Sequence, residues 1–194
     1  MEILPKLPWF LLFLSPLVLA DHNRRDALVF NFGVGEATQD VSKNRFPAGS
    51  DIDDTDVGFR AGVGFRSGLL GGNLSYVSFG QSAVTTPNAS AEAETNGLTL
   101  DMVFDLPLAQ DVNAFVKGGV ISWEQVTDER RAGSNFIDRY YEDGVDLFWG
   151  VGFRFAGAAG MNVVVEFDRF EFKDNGSNVA ADYDLLTVGV EFLL

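Results

Sequence analysis

Between Asp56 and Arg66 the chain alternates without interruption: Val57, Phe59, Ala61, Val63 and Phe65 share one parity, and Asp56, Gly58, Arg60, Gly62, Gly64 and Arg66 share the other. Only an extended strand separates those two sets onto opposite faces. The pattern returns at Leu98 to Leu108, where Leu98, Leu100, Met102, Phe104 and Leu106 oppose Thr99, Asp101, Val103 and Asp105. It returns again at Val145 to Phe155, where Val145, Leu147, Trp149, Val151, Phe153 and Phe155 oppose Asp146, Phe148, Gly150, Gly152 and Arg154. Less pure versions at Leu28 to Gly35, Leu69 to Gln81, Val112 to Glu124, Met161 to Phe172 and Tyr183 to Leu194 bring the expected count to eight strands. Five or six successive uncharged positions on one face, against Gly, Asp, Glu and Arg on the other, describe a sheet whose two faces meet different solvents.

The connections alternate in length. Ser67-Gly68, Pro107 to Asp111 and Ala156 to Gly160 are short and rich in turn-forming residues. Glu36 to Thr55, Ser82 to Asn96, Gln125 to Gly144 and Lys173 to Asp182 read as long polar loops. An even strand count with short turns on one side and long loops on the other predicts an all-β, eight-stranded antiparallel up-and-down transmembrane β-barrel. A soluble ligand-binding barrel also has eight strands, but it turns its apolar face inward. The oily faces here carry no charge, as a lipid-facing surface requires when each mid-bilayer charge costs about 2–4 kcal/mol.

The N-terminus supplies an address. Lys6, the apolar run Leu7 to Leu19 and Ala20, followed by Asp21-His22-Asn23, read as a signal peptide over 1–20, with the barrel domain over 21–194. Pro8 and Pro16 interrupt the run, which falls short of the ~20 residues that a spanning helix needs. No later run of that length follows, so a membrane span after export has to be a barrel.

Composition narrows the function. A net charge of −14, from 14 Lys and Arg against 28 Asp and Glu, excludes a general nucleic-acid binder, which must neutralise phosphates with cations. The absence of Cys removes thiol chemistry and zinc–thiolate sites. The single His22 precedes the first strand, so no catalytic site and no cofactor or metal are expected. Ser50 to Asp56 holds four carboxylates, dense enough to attract a hard cation, but without EF-hand spacing. Asp128-Glu129-Arg130-Arg131, Phe136 and Tyr140-Tyr141 mix charge with aromatics in the third long loop and mark a candidate ligand surface.

Two sets of charges are expected inside the barrel. Centring the fourth-to-fifth turn on Ala109 places Asp101 directly opposite Lys117, and counting from the other short turns puts Arg60 and Glu166 at the same depth. A second set, Arg66, Arg154, Asp105 and Glu191, lies nearer the short turns. An eight-stranded barrel is just wide enough for side chains to fill, so balanced charges predict an ion-pair network that plugs the lumen.

Leu186, Val188, Val190, Phe192 and Leu194 occupy alternate positions to the last residue and resemble the terminal strand that the barrel assembly machinery of the outer membrane recognises. Leu194 stands where that pattern prefers Phe. With Leu74 to Gly80, Val165 to Phe170 and Asp182 to Val190, the stretch from Ala27 to Leu194 resembles OmpA-like eight-stranded barrel domains. The resemblance implies a multi-pass monomer among the lipids and lipopolysaccharide of a Gram-negative outer membrane, without the periplasmic peptidoglycan-binding domain that some relatives carry. It implies a structural or envelope-associated role, with surface-loop adhesion or ligand binding as the alternative and a narrow pore as a third reading.

Overall fold

The computed structural model describes residues 26–40, 50–133, 136–158, 160–172 and 182–194. The expected signal peptide over 1–20, His22, residues 41–49 of the first long loop and 173–181 of the last lie outside the described residues. The strands are β1 (Ala27–Asp40), β2 (Asp51–Asp53), β3 (Thr55–Ser67), β4 (Leu70–Thr85), β5 (Ala89–Ala109), β6 (Val112–Arg131), β7 (Ile137–Ala156), β8 (Met161–Glu171) and β9 (Asp182–Leu193). Eight of them close an all-antiparallel barrel, in which β1 pairs with β3 on one side and with β9 on the other and β4 pairs with β5. The short β2 leans on the upper end of β4, with Ile52 opposite Val84.

Side-chain direction decides which solvent lies outside. Phe32, Leu74, Leu100, Leu147 and Val188 point outward and are exposed, as are apolar residues at equivalent depths around the ring, while Arg60, Asp101, Lys117 and Arg154 are buried inside. This is the inverse of a soluble barrel, and a continuous oily belt of that size has no stable partner but lipid.

Two of the long loops are largely strand. β5, β6 and β7 run 20 or 21 residues each, so Ala89–Asn96, Glu124–Arg131 and Ile137–Gly144 remain in the ladder. About 9–11 residues suffice to cross a bilayer, so the remainder stands clear of it on the side opposite the short turns. The outward face of that protruding sheet no longer meets lipid, so its large apolar residues give way to polar ones and the oily-polar contrast shrinks to small residues such as Ala89, Ala91 and Ala93, while backbone pairing stays intact. The reading of Ser82 to Asn96 and Gln125 to Gly144 as loops is corrected accordingly.

A bulge bends β4. Ser78 pairs with Asn96 and Gln81 with Glu94, leaving Phe79 and Gly80 opposite Thr95. Gly80 has φ +73°, where a side chain is disfavoured, and a Cβ there would lie 2.5 Å from the Asp56 carboxylate. That carboxylate accepts a hydrogen bond of 2.7 Å from the Gln81 N–H, so one acid of the Ser50 to Asp56 cluster fixes the bulge.

Candidate functional site: the lumen and its outer mouth

The register between β5 and β6 overturns one expected pair. Pro107 faces Asn113 and Ala109 faces Val112, which leaves Leu108 as an extra residue on β5. The turn residues are Gln110 and Asp111, so the centre of the hairpin lies beyond Ala109, and even with Leu108 giving one residue back every pair above is displaced by two residues on β6. Asp101 therefore faces Gly119, and Lys117 faces Val103. Asp101 accepts a hydrogen bond of 2.7 Å from Asn73 instead of an ion pair from Lys117.

Lys117 turns to β8. Its Nζ lies 2.6 Å from a Glu166 oxygen and 2.8 Å from an Asp168 oxygen, and Arg60 reaches the same two carboxylates, at 2.9 Å from Asp168. The side chains of Lys117 and Asp168 have no exposed area. Gly150 makes this layer possible, because a Cβ there would fall 2.0 Å from the Asp168 carboxylate and 2.7 Å from the Lys117 chain. Asp168 is absent from the expected lumen charges, yet it lies two positions beyond Glu166 on the same face, a signal the alternation contained.

The second layer, nearer the short turns, brings Arg66, Arg154, Asp105 and Glu191 together. Arg66 pairs with Glu191 at 2.5 Å, Arg154 Nε lies 2.8 Å from Glu191, and Arg154 Nη1 donates to Asp105. Arg66 also donates to Asn73 at 2.9 Å, so Asn73 links this layer to Asp101. The Arg154 guanidinium sits 5.0 Å from the Phe115 ring centre.

Above the Lys117 layer the lumen becomes aromatic. Phe170 packs between Phe79 and Phe148, at 4.9 and 4.8 Å between ring centres, and Trp123 stacks on Phe172 at 4.7 Å. Ile121, Val77 and Leu185 complete this buried cluster. Arg60 and Lys117 both lie over the Phe148 ring, which joins it to the charged layer. Phe170 and Phe172 continue the inward parity of Glu166 and Asp168, so this layer too was encoded in the period of two.

The cluster is capped by polar groups. The Tyr183 hydroxyl lies 2.9 Å from Thr95 Oγ1 and accepts from Gln125 at 3.3 Å. Beyond it, between the protruding strands, a cavity of about 370 Å³ opens away from the short turns. On the outer surface of those strands Arg139 grips Asp128 with two hydrogen bonds of 2.6 Å. That contact holds the Asp128 carboxyl below its ordinary range and raises Arg139 in turn.

A family model, the outer membrane protein beta-barrel domain, matches residues 11–192. The chain belongs to that family. Outer-membrane barrels of the same fold include Neisserial surface protein A (13% identity, TM-score 0.59, 88% of this chain and 100% of that one) and a major outer membrane protein from Thermus thermophilus (13%, 0.58, 88% and 100%). The attachment invasion locus protein Ail of Yersinia pestis is a third (12%, 0.56, 88% and 100%). A search of curated proteins returns no match. Family and fold place this outer-membrane barrel in the lipid and lipopolysaccharide environment of a Gram-negative envelope. Leu186, Val188, Phe192 and Leu194 are exposed on its outer face, and Val190 shares their parity.

Proposed function

We propose that this barrel is a structural component of the outer membrane whose lumen is closed to solutes. The observation that carries the reading is the layer of Arg60, Lys117, Glu166 and Asp168, buried across the middle of the lumen beneath the packed aromatic cluster. A path for ions would have to break several buried charge pairs and displace Phe170. Acid–base catalysis is no part of the proposal, because Asp101, Asp105, Glu166, Asp168 and Glu191 are each engaged by Arg, Lys or Asn.

The proposal extends to biogenesis. The chain is exported by the segment 1–20, and the outward strip Leu186, Val188, Val190, Phe192 and Leu194 engages the assembly machinery before the barrel inserts as a monomer. Phe192→Asp should lower the fraction of folded barrel recovered from outer membranes, and undiminished recovery would remove that strip from the account.

The functional test compares envelopes with and without the protein. Loss of a structural barrel raises sensitivity to detergent and leaves entry of small hydrophilic solutes unchanged. Slower solute entry with unchanged detergent sensitivity would replace this reading with a pore. The protruding strands favour a second reading, a surface-binding module: shortening the hairpin around Thr86–Ala89 and the β6–β7 tip would then abolish attachment to a host or envelope component while the barrel stays folded.

A further inference from the structure

We propose that the outer mouth of the barrel is a binding cup for a small organic cation with an apolar body, such as an aromatic or short aliphatic primary amine. The cavity of about 370 Å³ falls within the range of small-ligand sites, and mouths of β-barrels are a favoured place for them. Its inner end is lined by Gln125, whose amide donates to the Tyr183 hydroxyl that caps the aromatic cluster below. A ligand entering from outside therefore stops there.

The chemistry of the wall selects the guest. Val84, Ala91 and Ala93 line it with small apolar side chains, and Tyr140 adds an aromatic ring. Among the described lining residues the charged groups are Glu129 and Glu142, with no Lys or Arg. Arg131 lies 3.5 Å from Glu129 but is two-thirds exposed and sits outside the lining. An ammonium group near these carboxylates gains Coulomb attraction and the face of the Tyr140 ring, while its hydrocarbon part covers the alanines. A carboxylate guest would meet like charge, and a neutral guest would keep only the apolar contact.

This cup does not depend on whether the lumen is closed, since its residues all lie above the aromatic cluster. The test uses isotope-labelled full-length barrel in phosphatidylcholine nanodiscs, titrated with benzylammonium chloride, with benzyl alcohol, and with sodium chloride as the ionic control. The amides of Ala91, Ala93 and Thr127 should shift saturably with benzylammonium, with half-saturation on the order of 1 mM for so small a ligand. Benzyl alcohol should bind at least about fivefold more weakly, the loss expected when an exposed charge contact and a cation–π contact are both removed. The Glu129→Gln, Glu142→Gln double variant should lower benzylammonium affinity to the level of benzyl alcohol, and Ala93→Phe should fill the cup and abolish the shifts. If Ala93→Phe fails to fold, the double Gln variant, which changes no side-chain volume, carries the test. Shifts that never saturate, equal affinity for amine and alcohol, or full affinity in the double Gln variant would each overturn the proposal.

Discussion

Replacing Lys117 by Met removes the ammonium that lies between Glu166 and Asp168 and leaves both carboxylates to Arg60. Orphaning a buried charge usually costs about 3–5 kcal/mol. Here Arg60 still contacts both acids, so the lower end, about 3 kcal/mol, is expected. Asp168→Asn in the same chain removes the anion that Lys117 meets with no exposed area on either side chain. The double variant should therefore recover about 2 kcal/mol relative to the sum of the singles. Asp101→Asn is the control, since Asp101 bonds Asn73 and faces Gly119. Its coupling to Lys117→Met should be less than half as large. Reversible urea unfolding in lipid vesicles, followed by tryptophan fluorescence, measures all of these. Equal coupling to Asp101 and Asp168 would refute the assignment of partners and restore Asp101 as the counter-ion of Lys117.

Three further outcomes follow from other parts of the molecule. Phe170→Ala empties a fully buried site in contact with Phe79 and Phe148 and should cost about 3 kcal/mol in the same assay, at the low end for a Phe truncation; a loss below about 1 kcal/mol would mean the cluster is loosely packed. Gly80→Ala forces a side chain into φ +73° against the Asp56 carboxylate and should destabilise the barrel by about 1–2 kcal/mol, whereas Gly118→Ala, with only Phe148 O near at 3.8 Å, should be close to neutral. At the β6–β7 tip, Arg139 depresses Asp128, so this contact contributes above the ordinary carboxylate pKa and is lost as pH falls through the lowered value. Amide exchange at Thr127 and Arg139, corrected for intrinsic rates, should accelerate below about pH 4 and do so less in Asp128→Asn, which is already uncoupled; identical pH profiles would show that the contact does not hold the hairpin.

How much of this molecule could be read in the sequence follows the solvent contrast. Where one face met lipid and the other the lumen, as at Asp56–Arg66, alternation gave both the strand and its facing. Above the membrane the contrast weakens: Ala89, Ala91 and Ala93 still alternate with Ser90, Glu92 and Glu94, but no large apolar side chain marks the strand, and Glu124–Arg131 is polar on both parities except at Val126. Parity assigned Arg60, Lys117 and Glu166 to the inside, but depth depends on register. A turn at Gln110-Asp111 instead of one centred on Ala109 moved Asp101 away from Lys117, and the extra residue at Leu108 returned only one position. Asp168, Phe170 and Phe172 had the same inward parity as Glu166, and reading that strand to its end would have included them. Of the mouth cavity, Glu129 and Tyr140 fall in the stretch marked as a candidate ligand surface, but Ala91 and Ala93 join them only through the pairing of the protruding sheet.

The proposed closure of the lumen is tested most directly by ionic current through the purified barrel in a planar bilayer. With the Arg60, Lys117, Glu166 and Asp168 layer and the aromatic cluster intact, the unmodified protein should insert without a persistent conductance step at any voltage that the bilayer itself withstands. Steady, ohmic current from the unmodified barrel, reduced by Phe172→Trp, would show that the aromatic cluster lines an open path and would contradict that closure.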